Sequence, residues 1–146
     1  MPKKESLDAI PTVLIPLLSK QENNPDFLNS ATQGFDHVTL LAVIDRMEIV
    51  GRFGFMANEI RSASQSLEKI KTFLEAQGKM VDDVLEWGET EQKIEHIAAL
   101  RDCAKIVLVK QENQYFKKLL KKLEEPGKCA VETVPIAIPE PKKRGF

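Results

Sequence analysis

The sequence is poor in the side chains that carry most protein chemistry. Its 146 residues include only two cysteines, two histidines and one tryptophan, and aromatic residues make up 6%. Cys103 and Cys129 fall in different predicted elements and form no CxxC pair, which favours reduced thiols over a disulfide. Histidines and cysteines this scattered have no metal-ligand spacing. We therefore expect neither a metal nor a cofactor.

The sequence also lacks a strong charge and a long apolar run. The formal net charge of −1 gives no general attraction to nucleic acid or to an anionic membrane. The longest predominantly apolar run, 38–44, falls far short of the ~20 residues that a membrane-spanning helix needs. Residues 1–6 contain no apolar segment of the kind found in signal peptides. We expect a cytoplasmic protein that does not enter a membrane.

Catalytic motifs are absent as well. The sequence contains no GxSxG, HExxH or P-loop pattern. His37 and His96 have no nucleophile beside them in the sequence, and a catalytic Cys103 would need a nearby base. The sequence therefore predicts a protein that is not an enzyme.

What the chain does contain is a regular alternation of apolar strands and amphipathic helices. A length of 146 residues suits one domain. We assign residues 10–138 to that domain, with disordered tails at 1–9 and, basic in character, at 139–146. The predicted strands are 12–17, 37–44, 80–87, 104–109 and 130–138, and the predicted helices are 25–33, 55–77, 90–100 and 113–125. Strands that are apolar on both faces and alternate with helices indicate a five-stranded, mostly parallel, doubly wound α/β sheet with helices on both faces.

Two of the helices have clear inward faces. In the helix at 55–77 the apolar residues recur every three or four positions, which predicts one stripe against the sheet. Its members are Met56, Ile60, Ala63, Leu67, Ile70 and Leu74. In the helix at 113–125 the predicted inward residues are Tyr115, Phe116, Leu119, Leu120 and Leu123.

Two of the strands have features of sheet edges. Asp82 and Asp83 interrupt the apolar pattern of the third strand, and a half-exposed edge position explains that mixture. Pro135 lies within the predicted fifth strand, and proline removes a hydrogen-bond donor that an interior strand needs.

Several segments, in this order, resemble the universal stress protein family. They are Val13-Leu-Ile-Pro16, Val38-Thr-Leu-Leu-Ala-Val-Ile-Asp45, Val84-Leu-Glu-Trp-Gly88 with Ile94 and Ala98, and Lys105-Ile-Val-Leu-Val109. The resemblance covers roughly residues 11–138. It implies a flavodoxin-like or Rossmann-like sheet, a role in regulation or stress response, and pairing into homodimers through the last strand.

The nucleotide site of that family is not conserved in this sequence. Nucleotide-binding members end the first strand with an acidic residue, and Leu18 occupies the matching place. They follow the fourth strand with glycines, which let backbone N–H groups approach phosphates. Here Lys110 occupies the first glycine position, and residues 111–125 contain no glycine, serine or threonine. The sequence therefore predicts no ATP binding in the manner of the family.

Three residues are the candidates for a different ligand site. Ser19, Asp45 and Lys110 follow the first, second and fourth strands, and ligands of doubly wound sheets lie at the carboxyl ends of strands. Lys110 would attract an anion as a point charge. The alternative is structural: Asp45 caps the next turn and Lys110 is a solvated side chain at the start of a loop.

Two further charged segments allow both a functional and a structural interpretation. Gly51-Arg52-Phe53-Gly54 precedes a helix, where an anion can bind, although a flexible connection explains the glycines equally well. Lys117, Lys118, Lys121 and Lys122 form a basic cluster that suits either an anionic partner or an ordinary solvated helix face. Exposed aromatic residues are not interleaved with these lysines, so nucleic acid is not expected as a partner.

The preferred functional hypothesis is a non-catalytic regulatory or interaction domain that acts through dimerisation and protein partners. Val134, Ile136 and Ile138 alternate along the last strand and form its expected apolar dimer face. The alternative hypothesis is a small-ligand protein that binds a nucleotide or an anion at the ends of the first and fourth strands.

Overall fold

The computed structural model describes residues 11–45, 55–125 and 129–136. Its strands are β1 (Thr12–Pro16), β2 (His37–Ile44), β3 (Met80–Trp87), β4 (Lys105–Val109) and β5 (Ala130–Val134). Its helices are α1 (Pro25–Ala31), α2 (Ile60–Glu75), α3 (Thr90–Leu100) and α4 (Gln114–Leu123), and a short 3₁₀ helix, Ala57–Glu59, precedes α2. None of the helices among these residues has the length and apolar character that crossing a bilayer requires.

The five strands form one parallel sheet in the order β3-β2-β1-β4-β5. The chain moves outward from β1 through β2 to β3, and then returns to place β4 on the other side of β1. This reversal creates a crevice between the carboxyl ends of β1 and β4, where doubly wound folds bind their ligands. The predicted five-stranded, doubly wound α/β architecture is confirmed.

The core has two layers, one on each face of the sheet, because the central strands are apolar on both sides. In the first layer, helices α1 and α2 pack Phe27, Leu28, Ala63, Leu67, Ile70 and Leu74 against Val13, Ile15, Leu40 and Val107. In the second layer, helices α3 and α4 pack Ile94, Ile97, Phe116, Leu119 and Leu123 against Leu14, Leu41, Ile106 and Leu108.

Helix α2 is shorter than its periodicity predicts. The helix begins at Ile60, because Phe55 forms an isolated bridge with Ile44 of β2 and the Glu59 carboxylate accepts the Met56 N–H at 2.8 Å. Met56 is half-buried and Ile60 is 38% exposed, so the first two members of the predicted stripe do not face the core. The other four, Ala63, Leu67, Ile70 and Leu74, are buried as predicted.

The prediction that Tyr115 faces inward is wrong. Its side chain is 43% exposed, whereas Phe116 is buried. At about 100° per residue, Tyr115 lies at the margin of the face whose centre Phe116, Leu119 and Leu123 occupy, and this marginal position leaves its ring exposed. Leu120 is half-buried against the second layer.

Both predicted edge strands are edges. Strand β3 pairs only with β2 and strand β5 only with β4 among the described strands. Strand β5 ends at Val134, so Pro135 follows the strand and does not lie inside it. Ile138 of the expected dimer face and the segment Gly51-Arg52-Phe53-Gly54 lie outside the described residues.

Candidate functional site at the carboxyl edge of the sheet

Ser19, Asp45 and Lys110 lie at the same edge of the sheet, because they follow parallel neighbouring strands. Ser19 is engaged within its own loop: its Oγ donates to a Glu22 carboxylate oxygen at 2.8 Å and accepts the Gln21 N–H at 3.0 Å. Asp45 is half-buried, and its N–H donates to the Phe55 carbonyl at 3.1 Å. Lys110 is exposed, and its N–H donates to the Val134 carbonyl of β5 at 2.9 Å. Each residue therefore holds a loop in place at this edge.

The most unusual group at this edge is a buried carboxylate that the sequence analysis missed. Glu22 is 2% exposed. Its Oε2 accepts three hydrogen bonds from the loop after β1: Leu18 N–H at 3.0 Å, Ser19 N–H at 2.9 Å and Ser19 Oγ–H at 2.8 Å. The spacing Ser19-x-x-Glu22 matches a capping box, which is the signal that would have found it.

Burial governs the chemistry of Glu22. Loss of hydration raises the pKa of this carboxyl, and the hydrogen bonds from Ser19 and Leu18 oppose that rise only in part. Its second oxygen, Oε1, is buried and has no hydrogen-bond partner within the described residues. A cavity of about 10 Å³ beside Glu22, also lined by Asn23 and Ser66, is large enough for about one water molecule.

The loop that carries Glu22 is tied to the segment before α2. Lys20 has a positive φ of 66°, and its Nζ lies 2.8 Å from Glu59 Oε2 and 5.6 Å from the centre of the Phe55 ring. The hydrogen bond from Lys20 and the one from the Met56 N–H lower the pKa of the Glu59 carboxyl. Because the Lys20–Glu59 pair is largely exposed, it orients the loop more than it stabilises the fold.

The loop after β4 also contains side chains that hydrogen-bond within the loop and to the start of α4. Asn113 is the N-cap of α4, and its Oδ1 accepts the Phe116 N–H at 2.7 Å. Its Nδ2 donates to Gln111 Oε1 at 3.2 Å. Helix N-termini bind phosphates through free N–H groups, and here a capping side chain already takes one of them. Gln111 Nε2 is buried without a partner among the described residues.

The other sequence candidates form no reactive cluster. His37 Nε2 lies 3.1 Å from Met80 Sδ, and His96 is exposed. Lys117, Lys118, Lys121 and Lys122 are exposed along α4, and Lys122 Nζ lies 3.7 Å from Glu91 of α3. Within the described part of the chain, no group of three or more histidine, cysteine or acidic side chains is placed to hold a metal ion.

Two larger cavities lie away from this edge. One, of about 420 Å³, is at the amino ends of the strands beside His37, Met80 and Arg101. The other, of about 480 Å³, runs between α2 and β3 beside Leu67 and Asp83. Each cavity has an ion pair in its wall. Arg101 Nη1 lies 2.9 Å from Asp82 in the first cavity, and Lys71 Nζ lies 3.4 Å from Asp83 in the second.

Comparison with known proteins establishes the fold. No protein-family model matches the sequence, and no curated protein does. A solved universal stress protein from Archaeoglobus fulgidus is similar at a TM-score of 0.66 and 13% identity, over 90% of this chain and 98% of that chain. A universal stress protein from Archaeoglobus fulgidus in complex with dAMP is similar at a TM-score of 0.63 and 16% identity, over 86% of this chain and 97% of that chain.

A universal stress protein family protein from Arabidopsis thaliana with AMP bound is also similar, at a TM-score of 0.58 and 14% identity, over 91% of this chain and 97% of that chain. Similarity at this level of identity concerns the fold. The expected universal-stress-like architecture is therefore confirmed over most of the chain.

Proposed function

We propose that this chain, which has the fold of universal stress proteins, is a cytoplasmic regulatory or interaction domain. In this proposal it catalyses no reaction, does not bind ATP in the manner of that family, and acts as a homodimer that contacts protein partners. The observation that carries the proposal is that backbone N–H groups after β1 and at the start of α4 already have side-chain acceptors of this chain: the Leu18 N–H donates to Glu22 and the Phe116 N–H donates to Asn113.

The environment of Leu18 supports the same conclusion. Leu18 matches the position of the acidic residue in nucleotide-binding universal stress proteins, and it is 4% exposed within the second core layer. The carboxylate nearest in sequence, Glu22, points its Oε2 at backbone N–H groups of its own loop. The N–H groups of this loop therefore donate to a carboxylate of the same loop, and the loop presents no carboxylate to the base of a nucleotide.

The two edges of the sheet differ in their ability to pair with a second copy. Strand β3 carries Asp82, Asp83 and Glu86, which pair with Arg101, Lys71 and Lys93 of the flanking helical segments. Two copies of β3 side by side would bring these like charges together, and charged side chains protect edge strands in this way.

Strand β5 is the edge without that protection. Its single acidic residue, Glu132, is paired with Lys105 of β4 at 2.8 Å. Val134 and Ile136 are half-buried and pack against the first core layer, so each keeps part of its surface exposed. An edge with a single acidic residue repels a second copy less than β3 does, and it can pair with its own symmetry mate because a twofold interface is self-complementary.

The oligomeric state tests this proposal, with one charged substitution at each edge. Light scattering after size exclusion should find a dimer for the wild type and a monomer for Ile136→Lys, which places a charge at the β5 edge. Met80→Lys is the matched control, since Met80 is 63% exposed at the opposite edge, and it should remain a dimer. A monomeric wild type, or a dimer insensitive to Ile136→Lys, would contradict the interface.

A second candidate function is the binding of a small anion or nucleotide at the carboxyl edge. Two observations favour it: Glu22 Oε1 and Gln111 Nε2 are buried polar atoms without partners in the described part of the chain, and two solved proteins of this fold contain dAMP or AMP. In this proposal Ser19, Asp45 and Lys110 would contact the ligand.

Calorimetric titration with AMP, Mg-ATP and inorganic phosphate distinguishes the two functions. The interaction-domain proposal expects no binding tighter than about millimolar. Micromolar binding that is lost in Lys110→Ala, but kept in the control Lys117→Ala on the exposed face of α4, would establish the ligand-binding function instead.

A further inference from the structure

Folding brings the two cysteines together from positions 26 residues apart in the sequence. Cys103 lies two residues before the start of β4, and Cys129 lies directly before β5. The Cys129 thiol donates to the Cys103 carbonyl oxygen with the sulfur 3.2 Å away. Both side chains belong to the second core layer, so they lie on the same face of the sheet.

The strand register brings the two backbones within the range of a disulfide. Lys105 of β4 is opposite Ala130 of β5, which places Cys129 opposite Ala104 and one residue from Cys103. Asp102 has a positive φ of 52° and Ala104 lies in a bend, so Cys103 precedes the regular part of β4. For regular strands about 4.8 Å apart with a rise of about 3.3 Å per residue, this offset corresponds to a Cα separation of about 6 Å. Disulfides join Cα atoms roughly 4.4–6.8 Å apart, most often near this value.

We propose that Cys103 and Cys129 form an oxidisable dithiol site, which a low-molecular-weight disulfide such as oxidised glutathione converts to an intrachain disulfide between the amino ends of β4 and β5. This inference does not depend on the dimer or on ligand binding. It identifies a modification site at the end of the sheet opposite the crevice.

The reaction balances in two exchange steps. The Cys129 thiolate, which is the more exposed of the two, attacks the disulfide of the oxidant and releases one thiolate that takes up the proton from Cys129. The Cys103 thiolate then attacks the sulfur of Cys129 in the mixed disulfide and releases the second thiolate, which takes up the proton from Cys103. Two protein thiols become one disulfide, and one oxidant disulfide becomes two thiols.

The environment of the pair makes this reaction slow at neutral pH. Burial raises the pKa of Cys103 to about 11, and the neighbouring Cys129 acts in the same direction. Burial also raises the pKa of Cys129. Because the thiolate is the attacking species, the rate of disulfide formation should increase steadily from pH 7 to pH 9.

The disulfide would fasten the edge strand β5 to the sheet. It closes a loop that contains β4 and α4, and cross-links of this length stabilise folded domains by restricting the unfolded chain. We expect the melting temperature of the oxidised protein to rise by about 5–15 °C.

Peptide mapping of the intact protein tests the inference. The wild type is incubated with oxidised glutathione at pH 8.5, quenched with acid, alkylated and digested with trypsin. The tryptic peptides 102–105 and 129–142 should then be found joined by a disulfide. The intact mass should fall by two hydrogens, and both free thiols should disappear. The matched control Cys103→Ser should end as a glutathione mixed disulfide on Cys129.

Three results would overturn the inference: persistent glutathione adducts on the wild type, disulfide-linked dimers, or two free thiols after prolonged oxidation at pH 9. Mapping of the wild type alone decides among these results, so the test stands even if a serine variant fails to fold.

Discussion

Removing the Glu22 carboxylate is the sharpest perturbation of the candidate site. In Glu22→Ala, the Leu18 N–H, the Ser19 N–H and the Ser19 hydroxyl all lose their acceptor. A buried donor left without a partner costs about 1–3 kcal/mol, and water entering the neighbouring cavity would satisfy part of this loss. We expect the free energy of unfolding to fall by about 2–4 kcal/mol at pH 7.

The variant Glu22→Gln distinguishes the contribution of the hydrogen bonds to stability from that of the titratable carboxyl. The amide oxygen keeps an acceptor for the same three donors, while the amide nitrogen replaces the unpartnered Oε1. Because burial raises the pKa of Glu22, the folded wild type binds this proton more tightly than the unfolded chain. The contribution of Glu22 to stability is therefore largest below the unfolded pKa and is lost as the pH rises through the folded pKa.

Urea melts of the wild type, Glu22→Ala and Glu22→Gln at pH 4 and pH 7 provide the assay. The stability of Glu22→Gln relative to the wild type should increase from pH 4 to pH 7, since only the wild type titrates at this position. The reasoning is refuted if Glu22→Ala changes stability by less than about 0.5 kcal/mol, which is the range of ordinary surface substitutions. It is equally refuted if the relative stability of Glu22→Gln falls with rising pH.

Three further predictions concern the packing of α2, the cap of α4 and ATP binding. Leu67→Ala, in the buried stripe of α2, should destabilise the protein by roughly 2–5 kcal/mol in urea melts, and a change of less than about 0.5 kcal/mol would contradict the packing of α2. Asn113→Ala, which removes the cap of α4, should cost about 1 kcal/mol, whereas the exposed control Lys118→Ala should change little. Isothermal titration with Mg-ATP should detect no binding tighter than about millimolar, and a micromolar constant would contradict the prediction that ATP does not bind in the manner of the family.

Local sequence patterns determined most of the architecture. Strands β1, β2 and β4 are almost continuous apolar runs, and strands buried on both faces of a sheet are typically of this kind. Asp82 and Asp83 indicate that β3 is an edge, and α1 begins after Asn24, whose Oδ1 accepts the Phe27 N–H at 3.0 Å. These features could be predicted because each depends on residues close together in the chain.

Periodicity was less reliable at the ends of helices. Met56 and Ile60 continue the spacing of the α2 stripe, yet Phe55 pairs with Ile44 of β2 and delays the helix. Tyr115 was assigned to the core by its apolar ring, although the face of α4 is set by Phe116 and the residues three, four and seven positions later. In α2, a contact with β2 decides where the helix begins. In α4, the position of Tyr115 around the helix axis decides that its ring is exposed.

The candidate site depended on tertiary structure to a greater degree. Glu22 appears in the sequence as one polar residue in a polar loop, and only the packing of that loop against Phe55 and α2 buries its carboxyl. The approach of Cys103 and Cys129 results from the pairing of β4 with β5, which no local spacing records. The sequence by itself determined which segments form strands and helices, because hydrophobic periodicity is a local property. Only the tertiary structure decided which polar groups meet, because burial and contact depend on segments that are distant in the chain.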